Sequence, residues 1–130
     1  SRAFIAEARR MRKVVGGGMR QAGVLAAAGI VALEQIAPRL AEDHGRARRL
    51  AEGLAEIPGV EVAPVYTNIL YFSLAKGANK TTDQVTAALA QRGVRVSGRK
   101  DGRIRAVTHY WITDEGIERA IAAMRDVMAA

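Results

Sequence analysis

Pro58-Gly59 divides this chain into two hydrophobic patterns that cannot belong to the same kind of layer. Before it, apolar residues recur every three to four positions, the period of a helix buried along one side. After it, short alternating runs are separated by turn residues, the period of strands with one buried face. Proline followed by glycine ends a helix, because one lacks the N–H and the other has no conformational preference to continue it. Helices first and strands afterwards, within 130 residues, point to an α+β architecture around one core.

The elements can be placed one by one. Phe4, Ile5, Ala8 and Met11 share a helical face, with arginines opposite, over Arg2–Lys13. Gly16-Gly17-Gly18 stops that helix, since three consecutive glycines lose too much backbone entropy inside one. Ala22–Gln35 is apolar nearly all round, so a helix there is expected to be buried on most sides. Pro38 suits the first turn of a third helix, with Leu40, Ala47, Leu50, Ala51 and Leu54 as its apolar stripe. Val60–Val62 and Asn68–Leu74 read as strands, the second with Leu70, Phe72 and Leu74 on one face. Thr81-Thr82-Asp83-Gln84 fits a capping box opening a helix to Gln91. Gly93 turns the chain into a strand over Val94–Ser97, and Asp101-Gly102 forms the hairpin to a strand over Ile104–Thr108. Thr113 caps a last helix, Glu115–Met128, with Ile117, Ile121, Met124 and Met128 on its apolar face. The expected order is three helices and then β-β-α-β-β-α, a small mixed or antiparallel sheet covered by helices.

Charge narrows the chemistry. The net charge is +7, and it is concentrated in residues 1–20 and 92–105, each with six basic residues against one acidic. Two basic segments suit one anionic site assembled between them, or two solvated faces. Aromatics are 5% of the chain, too few for the stacking faces that single-stranded nucleic acids need. With no cysteine, disulfides, thiolate metal sites and a cysteine nucleophile are excluded. The longest apolar run, Ala22–Leu33, is shorter than the roughly 20 residues of a membrane span. A cytoplasmic soluble protein is the expectation. Ser1 lies inside a helical pattern, which suggests that the chain is a piece of a longer product.

Three motifs carry possible chemistry. Gly16–Gly23 leads into a helix, where free N–H groups and the helix dipole favour phosphate. It is not a Walker A loop, because Val24-Leu25 stands where Lys-Ser/Thr is required. The alternative is a helix C-cap with a flexible joint. On Ile104–Thr108, alternation sends Arg103 and Arg105 to one face, where a guanidinium can hold a carboxylate through two parallel bonds. The alternative is a solvated strand face. His44 and His109 are far apart in sequence and lack a carboxylate cluster, so no metal site is expected. Lys76, Lys80 and Lys100 fall in polar loops, unlike a Schiff-base lysine, which is normally buried. Lys13 suits an anion contact.

The stretch from Phe4 to Leu54, with Arg9-Arg10-x-Arg12-Lys13-x-x-Gly16-Gly17-Gly18-Met19-Arg20-Gln21-x-Gly23 at its centre, closely resembles the low-specificity L-threonine aldolases. Thr67-Asn68-Ile69, Gly93-Val94 and Arg105-Ala-Val-Thr-His109 continue the resemblance almost to the end. It implies a pyridoxal-phosphate enzyme of the aspartate-aminotransferase fold that cleaves threonine or allo-threonine to glycine and acetaldehyde. It also implies a homo-oligomer, a dimer of dimers; from the short apolar run and the few aromatics, no membrane or nucleic-acid partner is expected. By motif position, Arg105 would grip the carboxylate of a β-hydroxy amino acid. Lys13 and Arg20 would lie near the cofactor phosphate, and Gly16, Gly17 and Gly18 would let the backbone come close. Asn68 is a weaker candidate for the pocket wall. Residues 1–36 would be large-domain or interdomain helices and residues 37–130 the C-terminal small domain. The family's carrier lysine lies in a motif upstream of residue 1, so the chain alone is expected to be inactive. Tyr110-Trp111 departs from the family's usual Leu-Asp. A basic polyanion-binding module and a non-catalytic oligomerisation domain are the competing readings.

Overall fold

A computed structural model describes residues 1–130 as two compact units, Ser1–Ala37 and Pro38–Ala130.

The second unit contains the core. Helix α3 (Leu40–Ala55) is followed by strands β1 (Val60–Val62) and β2 (Ile69–Leu74), helix α4 (Thr82–Gln91), strands β3 (Ser97–Gly98) and β4 (Ile104–Val107), and helix α5 (Asp114–Ala129). The four strands form one antiparallel sheet in the order β1-β2-β4-β3. Alternation places Leu70 and Phe72 of β2 and Ile104 and Ala106 of β4 on the helix-covered face, all buried. They meet Leu50 and Leu54 of α3, Val85 and Leu89 of α4, and Ile117, Ile121 and Met124 of α5. On α3, Gly53 lies against Ile121, where a Cβ would collide with the isoleucine's Cδ1. The absent side chain is what lets α3 and α5 approach. The capping box is complete: Gln84 N–H donates to Thr81 Oγ1 at 3.3 Å and Thr81 N–H to Gln84 Oε1 at 2.8 Å. Thr113 accepts from Gly116 N–H at 3.2 Å and opens α5.

Two expectations in this unit are corrected. Val94–Val96 is not strand. The hairpin register pairs Ser97 with Arg105 and Gly98 with Ile104, and the ladder stops there, although Val94 and Val96 still pack against the core. Leu40 is 41% exposed, because the buried face of α3 is set by Asp43, Ala47, Leu50 and Leu54.

In the first unit, α1 (Arg2–Val14) and α2 (Gly23–Val31) form as the periodicity predicts. The expected burial of α2 is not found: no residue of α1 or α2 is buried. Apolar composition makes burial favourable only where a partner surface exists, and none of the other elements of this unit supplies one. Helical turns also run on beyond α2, through a π turn at Ala32–Ile36 and a 3₁₀ turn at Ala37–Arg39 that holds Pro38. The helical stretch Gly23–Ala55 is thus 33 residues long, with a window of mean hydropathy 1.5. One 18-residue window of it is apolar enough to cross a membrane by length and composition only, so the shortness of Ala22–Leu33 is no argument against one.

Candidate functional site

The outer face of β4 separates two arginines that alternation alone left equivalent. Arg103 is neutralised: its Nε and Nη2 donate to Asp101 Oδ2 at 2.9 and 2.7 Å, and its Cζ sits 5.0 Å from the centre of the Tyr71 ring. The Arg103 side chain, and then its backbone N–H, bond Asp101 and hold that carboxyl below its ordinary pKa. Arg105 is different. It lies between Tyr71 of β2 and Ser97 of β3 in the ladder, is half-buried, and makes no ion pair or side-chain hydrogen bond. The other half-buried arginines, Arg39 and Arg46, are both paired with carboxylates. An unpaired guanidinium on a strand hydrogen-bonded along both sides is set to receive an anion with little reorganisation.

Buried polar groups hold the end of β4 in place. Thr108 Oγ1 donates to the carbonyl of Asp43 at 2.7 Å, tying the strand to α3. Asn68 Nδ2 donates to Thr108 O at 2.8 Å while Thr108 N–H donates to Asn68 O at 2.9 Å. Asn68 therefore clamps two strand ends together through its side-chain amide. Asp43 had not been singled out. Its side chain is only 6% exposed, Oδ1 has no hydrogen-bond donor, and the nearest cation, Arg46, stands 3.9 Å away. The signal was there: positions 43, 47, 50 and 54 fall on one helical face, so Asp43 interrupts the apolar stripe.

Past β4 the chain turns outward. His109 is exposed, its carbonyl accepting from Ile112 N–H at 2.7 Å and its Nδ1 from Trp111 N–H at 3.3 Å. Tyr110 and Trp111 meet edge to face with ring centres 4.9 Å apart, and Arg39 covers Tyr110 at 4.5 Å. His44 is half-buried on α3.

In the first unit, the glycine run closes α1. Gly16 takes a positive φ of 84°. Gly16 N–H donates to Lys13 O at 3.2 Å and Gly17 N–H to Arg12 O at 2.7 Å. These two N–H groups are spent on the C-cap, so they are not the free donors a phosphate loop would present. The glycines still have a steric reason. A Cβ at Gly17 would lie 2.6 Å from Arg12 Cγ, and one at Gly18 would lie 2.8 Å from Lys13 Cδ and 2.9 Å from its Nζ. Lys13 and Arg20 are exposed and make no ion pair.

Comparison with known proteins follows this geometry. The model of the family described as "Beta-eliminating lyase" matches residues 1–77. "Low-specificity L-threonine aldolase 1" of Arabidopsis thaliana is 38% identical over 98% of this chain and 36% of its own length. "Low specificity L-threonine aldolase" of Escherichia coli (strain K12) is 37% identical over 99% of this chain and 37% of its own. The chain thus spans little more than a third of these relatives. Among solved structures, "NIFS-LIKE PROTEIN" aligns with a TM-score of 0.65 at 18% identity, over 76% of this chain and 30% of that one. The structure described as "C-DES Mutant K223A with GLY Covalenty Linked to the PLP-cofactor" aligns with a TM-score of 0.61 at 20% identity, over 68% and 24%. These likenesses show the fold alone, an α+β unit shared with both structures.

Proposed function

The chain belongs to the beta-eliminating lyase family, and on that premise we propose that it is the C-terminal part of a pyridoxal-phosphate aldolase that cleaves threonine or allo-threonine to glycine and acetaldehyde. The observation that carries this reading is Arg105, the one half-buried arginine without a partner, on a strand fixed from both sides. An amino-acid carboxylate is a planar anion that a guanidinium binds through two parallel bonds. Arg105 binds and orients it. Arg103, already neutralised by Asp101, adds no competing charge, so one carboxylate has one receptor. The clamp of Asn68 and Thr108 keeps β4, and hence the Arg105 backbone, from shifting under load.

The residues present fit the phosphate end of the cofactor and not its carrier. Lys13 and Arg20 are free cations flanking a backbone in which Gly17 and Gly18 cannot carry a Cβ without displacing Arg12 or Lys13; they would hold the phosphate. Bound pyridoxal phosphate supplies an electron sink for the charge left at the amino acid's Cα. None of Lys13, Lys76, Lys80 and Lys100 is buried, so none has the dry surroundings that free an amine for Schiff-base chemistry. The expected working form is a cytoplasmic homo-oligomer, and the chain alone is inactive.

The test is a chimera in which this chain replaces the matching C-terminal third of the Escherichia coli relative. Arg105→Ala in it should lower kcat/KM for threonine by about a hundredfold or more, the loss of a charge-assisted bidentate contact, while the cofactor's absorbance is retained. Unchanged threonine kinetics would remove the carboxylate role. The 130-residue chain by itself, given pyridoxal phosphate, should form no glycine from threonine.

A further inference from the structure

The early end of β3 opens a cleft that the proposed reaction does not use. An antiparallel ladder alternates its hydrogen-bonding sides. Thr108 N–H points to β2, so the N–H and C=O of Val107 point to the β3 side. Continued by two residues, the ladder would pair Val107 with Arg95, but β3 reaches only Arg105, and Val107 finds no backbone partner. The segment Gly93–Val96 passes at a distance and leaves a cavity of about 390 Å³ between itself, β4 and α5. Such a volume is at the lower end of ordinary small-molecule sites.

Its lining has two characters. Leu50, Val94, Val96, Ile112 and Ile117 make an apolar floor. Arg92, Arg95 and Arg119 stand in the same lining, and no carboxylate does. Arg92 is partly engaged, donating to Ala88 O at 3.1 Å. Arg95 and Arg119 make no side-chain hydrogen bond and no ion pair. Glu115, the carboxylate near Arg119, makes no ion pair with it. The cleft therefore offers an apolar hollow, two free guanidinium groups and an unpaired backbone edge. Neutral apolar ligands would leave the guanidinium groups unused, and small inorganic anions would leave the floor wet.

We propose that this cleft binds a small amphiphilic monocarboxylate, with its hydrocarbon tail on the valine-rich floor and its carboxylate between Arg95 and Arg119. The site stands apart from Arg105, whose side chain is on the opposite face of the sheet from the buried Ile104 and Ala106.

Octanoate, 1-octanol and acetate titrated into the ¹⁵N-labelled full chain test it, read by amide chemical shifts. Octanoate should shift Gly93, Val107 and Gly116 saturably, with Kd of about a millimolar or below, while octanol and acetate bind at least about tenfold more weakly. The Arg95→Ala/Arg119→Ala double variant should keep the spectrum of the folded chain, since both side chains are exposed and unpaired, and weaken octanoate about tenfold or more. Equal binding of octanol or acetate, or an unaffected double variant, overturns the proposal. Shifts centred on Tyr71 and Arg105 overturn it too, and would instead report the face assigned to the substrate carboxylate. No shift, with the Val107 amide strongly protected from exchange, would mean that Gly93–Val96 closes the ladder and no cleft exists.

Discussion

Residues 1–37 and residues 38–130 use the hydrophobic effect in opposite ways. The most apolar helix of the chain, α2, has no buried residue, whereas α5, with arginines and carboxylates through its length, buries Ile117, Ile121, Ala123, Met124 and Val127. The lesson is that burial follows periodicity with a partner, not apolar content. On α5 the apolar residues fall on one stripe opposite α3 and α4. On α2 they surround the helix and the rest of residues 1–37 supplies nothing to cover them.

The comparison can be broken outright by removing the first unit. Residues 38–130 made alone should unfold cooperatively at the same urea midpoint as the whole chain, because the buried cluster lies wholly within them. A large drop in midpoint would show that the first unit shares the core. Next in size, Leu70→Ala or Ile104→Ala should cost about 2–5 kcal/mol through lost burial and the cavity left behind. Leu25→Ala on α2 should cost no more than about 0.5 kcal/mol, as at exposed positions generally. Urea unfolding of the three variants measures the contrast.

Two smaller effects sharpen the picture inside the second unit. Gly53→Ala should destabilise by about 1–3 kcal/mol, since its Cβ meets Ile121. Gly45→Ala, on the same helix with nothing within 4 Å, should stabilise by about 0.5–1 kcal/mol. Equal effects at both positions would mean that α3 and α5 can move apart freely. The smallest effect concerns the hairpin. Asp101 is held below its ordinary pKa by Arg103, so its contribution is present above the unfolded carboxylate pKa and is lost as pH falls through the lowered value. Asp101→Asn should therefore be slightly less stable than the parent at neutral pH and indistinguishable from it in strong acid. Thermal unfolding at the two pH values checks the sign.

Much of the second unit was legible because its signals are local. The Thr81–Gln84 capping box, the Asp101-Gly102 hairpin and the alternation of Leu70 and Phe72 each depend on neighbours a few residues away. Val94–Val96 misled because its alternation is real while its ladder depends on where the hairpin sets the register. Asp43 escaped notice because charged neighbours hid its place on the apolar stripe.

The amino-acid sequence alone determined the order of elements, the basic segments, the two outward arginines and the family. Those depend on residue spacing, composition and motif. The tertiary structure alone decided that Arg103 is spoken for and Arg105 is not, since that depends on which carboxylate lies within hydrogen-bond reach. It also decided that Gly16 and Gly17 close a helix, and that α2 finds no covering surface within residues 1–37. Each outcome rests on which groups meet in space, even when they are only two residues apart, as Arg103 and Asp101 are, and periodicity carries no record of that.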